Sequence, residues 1–394
     1  MTVVIFAVII LTMYTRLLQK PKSSILLLGP RGTGKSTWIR RHFGDAVSYD
    51  LLDTRESLRL ERNPHVLFNE VQDLKPGSWV VLDEVQKVPA LLDEVHRLIE
   101  SRGLHFILCG SSARKLKRSG VNLLAGRAIV THMFPLTSAE LEQDFSADRA
   151  LIYGTLPISV SGENPEGFLT TYAETYLNEE IRAEALTRNV GSFSRFLEIA
   201  ARQNGQVTNI SNIAREAAVN RTTVQNYFEI LIDTLIGYWI PAWKLKRSTK
   251  QISHPKFYLF DTGVARVLTG RLPYPPTSEE LGPLFENMLF NEIKAYLSYR
   301  NLRYQLYFWR NYDGTEVDLL CETRNGFVAI EMKASSAWQK RFNRGLNRIQ
   351  IELSPGKVQC YGIYRGQRSA KFDNINILPV AHFLKKLWNG NIIC

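Results

Sequence analysis

Along the first third of the chain, short apolar runs alternate with stretches whose apolar positions recur at helical spacing. Ile25-Leu26-Leu27-Leu28, Trp79-Val80-Val81-Leu82 and His105-Phe106-Ile107-Leu108-Cys109 read as short buried strands. Ala46-Val47-Ser48-Tyr49-Asp50-Leu51 reads as another, and Thr37-Trp38-Ile39-Arg40-Arg41-His42-Phe43 as a helix. Phe134-Pro135-Leu136-Thr137 predicts a last strand running into a capped helix at Ser138-Ala139-Glu140-Leu141. Between about residues 22 and 145 this alternation predicts an α/β domain built on a parallel sheet.

The pattern then changes. From Gly167 to Thr187 the residues Phe168, Tyr172, Tyr176 and Ile181 recur at helical spacing and read as core. Three helices follow, over Phe193–Ala200, Asn209–Ala217 and Arg221–Leu231, and the short break Ala218-Val219-Asn220 makes the last two a helix-turn-helix pattern. Apolar Leu235-Ile236 and Trp239-Ile240 lead to Phe257-Tyr258-Leu259-Phe260, as the strands of a wing would. In the last third, a helix over Leu284–Ile293 precedes three strands, Leu306–Arg310, Thr315–Leu320 and Phe327–Lys333. Five segments result: an apolar N-terminal stretch (1–21), a P-loop domain (22–145), a helical connector (146–190), a winged helix-turn-helix (191–270) and a C-terminal α/β domain (271–394).

Composition changes the picture in three places. A hydrophobic content of 45% and a charged content of 22% are ordinary for a globular chain with more than one core. The formal net charge of +11 favours a polyanionic partner, and its distribution points to where. No acid lies after Thr234 and before Asp261, while Lys244, Lys246, Arg247, Lys250 and Lys256 do; Arg221, Thr222, Thr223 and Gln225 would begin a recognition helix in a DNA major groove. The bland reading is a packing module that binds protein or nothing. The four cysteines are scattered without metal-binding spacing, which fits a reducing, cytoplasmic setting. The uncharged run Val3–Leu11 is shorter than the roughly 20 residues of a membrane span and lacks the basic start of a secretory signal; a packed helix or an early start is the expectation.

The chemistry begins at Gly29-Pro30-Arg31-Gly32-Thr33-Gly34-Lys35-Ser36, followed by Thr37. It has P-loop spacing between a strand and a helix, where glycines let backbone N–H groups close around phosphate and the helix N-terminus adds positive potential. Lys35 would reach the β- and γ-phosphates of ATP, and the Ser36 hydroxyl would take a position on Mg²⁺. Trp79–Leu82 ends in Asp83-Glu84, the pattern of a Walker B strand: Asp83 would hold Mg²⁺ and Glu84 would act as general base on the attacking water. Ser111 after the third strand, with Ser112 as second choice, would sense the γ-phosphate. Arg127 would be an arginine finger in its own or a neighbouring subunit of a homo-oligomer.

A second constellation lies in the last third. Residues two apart on a strand share a face, so Glu316 joins Asp318 and Glu331 joins Lys333; adjacent strands would bring Asp318, Glu331 and Lys333 together, with Glu286 on the preceding helix. Such a set can bind Mg²⁺ through Asp318 and Glu331 and act on a phosphodiester. Downstream, Lys340, Arg341, Arg344 and Arg348 suit a phosphate backbone.

Taken together, these residues resemble the bacterial and archaeal AAA-type ATPases that end in a restriction-endonuclease-like domain. The resemblance rests on Gly29–Ser36, Leu-Asp-Glu-Val-Gln at 82–86, Cys-Gly-Ser-Ser at 109–112, Leu-Ala-Gly-Arg at 124–127 and Phe-Pro-Leu-Thr at 134–137. It continues in Tyr-Leu-Phe-Asp-Thr-Gly at 258–263, Phe-Glu-Asn at 285–287, Glu-Val-Asp at 316–318 and Glu-Met-Lys at 331–333. It implies an ATPase domain, a winged-helix segment and a nuclease-like domain. Val317 stands where proline is expected before the acid. Two functions remain open: an ATP hydrolase acting on DNA with nuclease potential, or a nucleotide-dependent switch whose nuclease-like domain is a non-cutting scaffold.

Overall fold

The computed structural model describes residues 14–112, 126–177, 190–244, 254–353 and 356–394. The apolar run Val3–Leu11, Leu124, Ala125, Ile181 and the basic residues Lys246, Arg247 and Lys250 lie outside the described residues. Five short strands, β1 (Ile25–Leu28), β2 (Val47–Asp50), β3 (Trp79–Asp83), β4 (His105–Gly110) and β5 (Ile129–His132), form a sheet of order β2-β3-β4-β1-β5. Every neighbouring pair is parallel. Helices α1 (Lys35–His42), α2 (Thr54–Arg62), α3 (His65–Val71) and α4 (Leu91–Arg102) accompany these strands. On one face Leu26, Leu28, Leu82, Phe106 and Leu108 pack in one cluster; on the other Ile25, Leu27, Val81 and Ile107 pack with Trp38. Burial on both faces is why these strands read as unbroken apolar runs.

Strand β4 lies between the P-loop strand β1 and the Walker B strand β3, and the strand near Tyr49 is an edge. One detail differs from the sequence pattern: the last strand is Ile129–His132 and not Phe134–Thr137. Pro135 has no N–H to give a ladder, and the β-branched residues before it pair with β1 instead. Thr137 keeps its expected capping role, closing a capping box with Glu140 on α5 (Ser138–Leu141).

Short helices α6 (Ala147–Tyr153), α7 (Pro157–Ser161) and α8 (Pro165–Thr171) follow, α8 running into a π-helical turn at Tyr172–Leu177. Tyr172 is core as expected, but Phe168 is exposed. The helix-turn-helix pattern is realised as α9 (Val190–Arg202), α10 (Ile210–Glu216) and α11 (Arg221–Asp233). Asn209 and Asn220 cap the last two, and Ala218 at φ 53° makes the break between them. Strands β6 (Gly237–Ile240) and β7 (Lys256–Leu259) then pair antiparallel. After α12 (Thr262–Leu268) comes α13 (Ser278–Tyr299), a 22-residue helix opened by a Thr277/Glu280 capping box.

The chain ends in a six-stranded mixed sheet. Its strands β8 (Gln305–Arg310), β9 (Glu316–Thr323), β10 (Gly326–Lys333), β11 (Val358–Tyr364), β12 (Ala370–Phe372) and β13 (Ile375–Pro379) lie in the order β12-β13-β11-β10-β9-β8. Helix α14 (Arg344–Glu352) packs on one face with Leu320, Ala329 and Cys360, and α13 and α15 (Val380–Trp388) on the other. Phe196, Phe228, Phe257, Leu289, Ile330 and Phe383 belong to one continuous cluster, so the middle and last thirds share a core. Among the described residues no helix is long and apolar enough to cross a membrane.

Helix α13 ties this core to the N-terminal domain. Glu292 accepts hydrogen bonds from Ser138 N at 2.5 Å, Ser138 Oγ at 3.0 Å and Trp388 Nε1 at 2.8 Å. Burial pushes its carboxyl up to about 7, against those three bonds, which favour the charged form. The folded value lies above the ordinary 4.5, so the stability this group lends is complete below about pH 4.5 and lost as pH rises through about 7. Glu292→Gln keeps an acceptor and removes the charge. Thermal melts at pH 5 and pH 8 are expected to show wild type losing up to roughly 3 kcal/mol relative to this variant.

Candidate nucleotide site and a second ionic centre

The candidate nucleotide site is assembled at the C-terminal ends of β1, β3 and β4. Register places Leu28 beside Gly110 and Leu82 beside Leu108, so the segments that follow these strands emerge side by side. The P-loop turns back through Gly32 at φ 81° and Gly34 at φ 90°, conformations open to glycine, before α1 begins at Lys35. Gly29 is pinned differently: a Cβ there would lie 2.4 Å from the Met133 carbonyl oxygen. Lys35 is buried and donates to the Gly29 and Pro30 carbonyls at 2.7 and 3.0 Å, within its own loop. The Ser36 hydroxyl donates to Asp83 Oδ2 at 2.9 Å. A hydroxyl and a carboxylate meeting at the foot of a P-loop are the oxygen donors Mg²⁺ takes beside phosphates, so these two residues fit that ion.

Glu84 stands at φ 58°, and its side chain meets two buried polar groups. Gln86 Nε2 donates to Glu84 Oε2 and, at 3.3 Å, to Ser111 Oγ; the Ser111 hydroxyl lies 3.4 Å from Glu84 Oε2. Gln86 Oε1 has no hydrogen-bond partner. Sequence reasoning placed Glu84 and Ser111 here but gave Gln86 no role beyond its motif. Its signal was a polar residue two positions after Glu84 in the same motif. Arg127 is placed elsewhere. It precedes β5, whose first residue bonds Ser24 at the opposite end of β1, and its Nε donates to Glu100 Oε1 at 2.9 Å. An arginine finger in the chain's own site is therefore corrected: parallel pairing puts Arg127 a strand's length away from the P-loop.

The second centre lies between α13, β7, β9 and β10. Lys333 Nζ is 2.5 Å from Glu331 Oε1 and 3.4 Å from Asp318 Oδ2, which also accepts from Met332 N at 2.7 Å. Glu286 accepts from Tyr258 Oη at 3.1 Å and pairs with Lys256 Nζ at 3.5 Å; Lys256 also pairs with Glu316. The four expected residues thus converge, joined by Lys256, Tyr258 and Glu316. Lys256 is corrected from a DNA-facing cation to a residue 3% exposed and paired twice. Burial and the Asp318 charge push the Glu286 carboxyl up to about 7, and the same two causes raise Glu331. Burial disfavours the Lys333 ammonium, but Asp318 and Glu331 hold its affinity for a proton above the ordinary lysine range.

Three carboxylates suit a hard cation chemically, and Glu331 Oε2 is buried without a partner. Yet among the described residues no group of three His, Cys, Asp or Glu side chains is placed to hold a metal ion. In this arrangement the Lys333 ammonium bridges Asp318 and Glu331, the two residues expected to hold a metal. Of the downstream basic residues, Arg344 and Arg348 pair with Asp313 and Glu352, while Lys340 and Arg341 are exposed.

Strand order and site geometry define a P-loop NTPase. Residues 21–142 match the family described as AAA domain, which supports an AAA-type ATPase for this part of the chain. Residues 144–274 and 281–383 match two domains of unknown function, DUF8612 and DUF4143; the latter match does not show a restriction-endonuclease-like domain. The chain is 26% identical to the uncharacterized proteins Rv2008c of Mycobacterium tuberculosis and Mb2031c of Mycobacterium bovis, over 91% of its own length and 80% of theirs. It is 24% identical to the uncharacterized protein MJ1544 of Methanocaldococcus jannaschii, over 93% and 88%. Among solved structures it is similar to the Aeropyrum pernix ORC1 protein in complex with DNA, at 12% identity over 64% of this chain and 87% of that one, TM-score 0.27. The Bacillus subtilis DNA clamp loader delta protein is similar at 12% identity over 68% and 95%, TM-score 0.22. Scores this low carry no argument about the present chain.

Removing the Lys256 ammonium would leave Glu286 and Glu316 facing each other with no cation between them. Lys256→Met is expected to cost about 3–5 kcal/mol in urea unfolding. Lys244→Met, at a half-buried position after β6, is expected to change stability by less than about 0.5 kcal/mol.

Proposed function

We propose that the protein is a Mg²⁺-dependent ATPase whose nucleotide cycle is linked to DNA. The observation that carries the first half is the 2.9 Å bond between Ser36 Oγ and Asp83 Oδ2, beside a P-loop lysine and a paired Glu84–Ser111. Mg²⁺, when bound, neutralises β- and γ-phosphate oxygens. Lys35 exchanges its carbonyl partners for phosphate oxygens, and the loop N–H groups donate to the same anion. Glu84 orients the attacking water and takes up its proton; Ser111 positions the γ-phosphate; Gln86 holds the Glu84 carboxylate toward Ser111. Arg127 serves, in this reading, only a neighbouring subunit of an oligomer. DNA linkage is supported by the exposed Arg221, Thr222 and Gln225 at the start of α11 and by the positive charge of the chain.

Hydrolysis assays with and without DNA test this. Lys35→Ala is expected to weaken ATP binding at least tenfold, since it removes the one side-chain charge aimed at the terminal phosphates. Glu84→Gln is expected to keep ATP affinity and lose turnover by about 10²-fold or more. Equal turnover in wild type and Glu84→Gln would remove the general-base role, and a rate indifferent to DNA would remove the linkage.

For the second centre the ion-pair geometry favours the non-cutting reading: Asp318, Glu331, Lys333, Glu286 and Lys256 act as a joint between the wing strand, α13 and the C-terminal sheet. The full chain incubated with DNA or RNA and Mg²⁺ or Mn²⁺ is expected to leave both intact, while Asp318→Ala lowers its unfolding midpoint. Metal-dependent cleavage abolished by Asp318→Ala would establish the nuclease instead.

A further inference from the structure

The N-terminal stretch, read from sequence as an apolar segment, supplies a buried cation to the P-loop. The Arg16 side chain is 7% exposed. It donates to Thr33 O at 2.7 Å, Phe134 O at 2.6 Å, Tyr299 Oη at 2.8 Å and Glu140 Oε1 at 3.0 Å. We propose that Arg16, braced by Tyr299, is a positioning residue for the phosphate-binding loop, so that nucleotide affinity depends on docking of the C-terminal helix α13; this rests on the nucleotide-site reading above.

The argument begins in the Thr33–Gly34 peptide. In a trans peptide the C=O and the N–H point in opposite directions. A guanidinium that fixes the Thr33 carbonyl on the outside of the loop therefore turns the Gly34 N–H inward, toward the anion. Gly34 at φ 90° allows that orientation without holding it, and Arg16 supplies the hold. The guanidinium also lies close behind the loop: a Cβ on Gly34 would be 3.8 Å from its Nη1.

The far side of Arg16 is set by the rest of the chain. The Tyr299 oxygen, at the last residue of α13, accepts from Arg16 and from Phe134 N at 3.3 Å. Glu140 Oε1 accepts from Leu17 N at 2.8 Å as well as from Arg16, so the same carboxylate holds the backbone beside the arginine. Phe134 follows Met133, the residue whose carbonyl pins Gly29. Both ends of the P-loop thus rest on one corner, and α13 closes it.

Two full-chain variants test the role without leaving Glu140 unpaired. Tyr299→Phe removes one hydroxyl, and Arg16→Lys keeps a cation but cannot span all four acceptors. Calorimetric titrations with ATP, ADP and adenosine in Mg²⁺ buffer read the outcome, alongside nucleotide-free melting curves. Tyr299→Phe is expected to weaken ATP and ADP by about 3–10-fold and Arg16→Lys by about tenfold or more, with adenosine unchanged. A purely structural role would lower the melting temperature and leave the affinities, or weaken adenosine as much as ATP; either result overturns the proposal. Wild type that binds no ATP would instead overturn the nucleotide-site reading, which separates the two failures.

Discussion

Backbone amides bind phosphate only when their carbonyls are held somewhere else, and much of this molecule serves that condition. The loop Gly29–Ser36 is short and glycine-rich, so its own residues do little to fix it. Its shape is imposed from outside: Met133 against Gly29, the Tyr172 hydroxyl on the Arg31 carbonyl at 3.0 Å, and Arg16 on the Thr33 carbonyl. The sheet then sets the partners. With β4 between β1 and β3, the loop, Ser111 and Asp83-Glu84 come off neighbouring strand ends, and the Ser36 hydroxyl meets the Asp83 carboxylate.

The same economy governs buried charge. Arg16, Glu140, Lys256, Glu292, Asp318 and Glu331 have buried side chains, Glu286 and Lys333 half-buried ones, and each has a partner of opposite charge or several donors. Helix α13 touches two of these groups with its first half and two with its second. Its Glu286 faces the Lys256 centre, Asn287 and Asn291 bond the Leu259 carbonyl at 2.6 and 3.2 Å, Glu292 meets Ser138, and Tyr299 meets Arg16. One rigid rod thereby links β7, the C-terminal sheet and the P-loop corner. Buried ion pairs add little net stability but punish any arrangement that leaves one member alone, which favours a single docking geometry.

Periodicity and motif spacing were enough for the P-loop, the Walker B acids, the helix-turn-helix pattern and the pairing of Asp318 with Glu331 and Lys333. Those are local: strand alternation fixes which residues share a face, and glycine spacing fixes where a chain can turn tightly. Charge patterning succeeded less well. Lys256 reads as one more cation in an acid-free stretch, yet register with Gly237–Ile240 turns it into the core beside Glu286 and Glu316. Arg127 beside a glycine resembles a finger, and only the direction of β5 shows that it sits at the wrong end of the sheet.

What the sequence alone determined is the chemistry on offer: a glycine-rich loop of P-loop spacing, the carboxylates that follow a second strand, and a set of acids and lysines on adjacent strands. Tertiary structure decided which of these groups stand free to act and which neutralise one another. It also recruited Arg16 and Tyr299, 283 residues apart, to the back of the loop. The reason is physical. Backbone propensity and side-chain period are set by neighbours in the chain, whereas the partner of a buried charge is chosen by packing across the fold, and no local pattern encodes that choice.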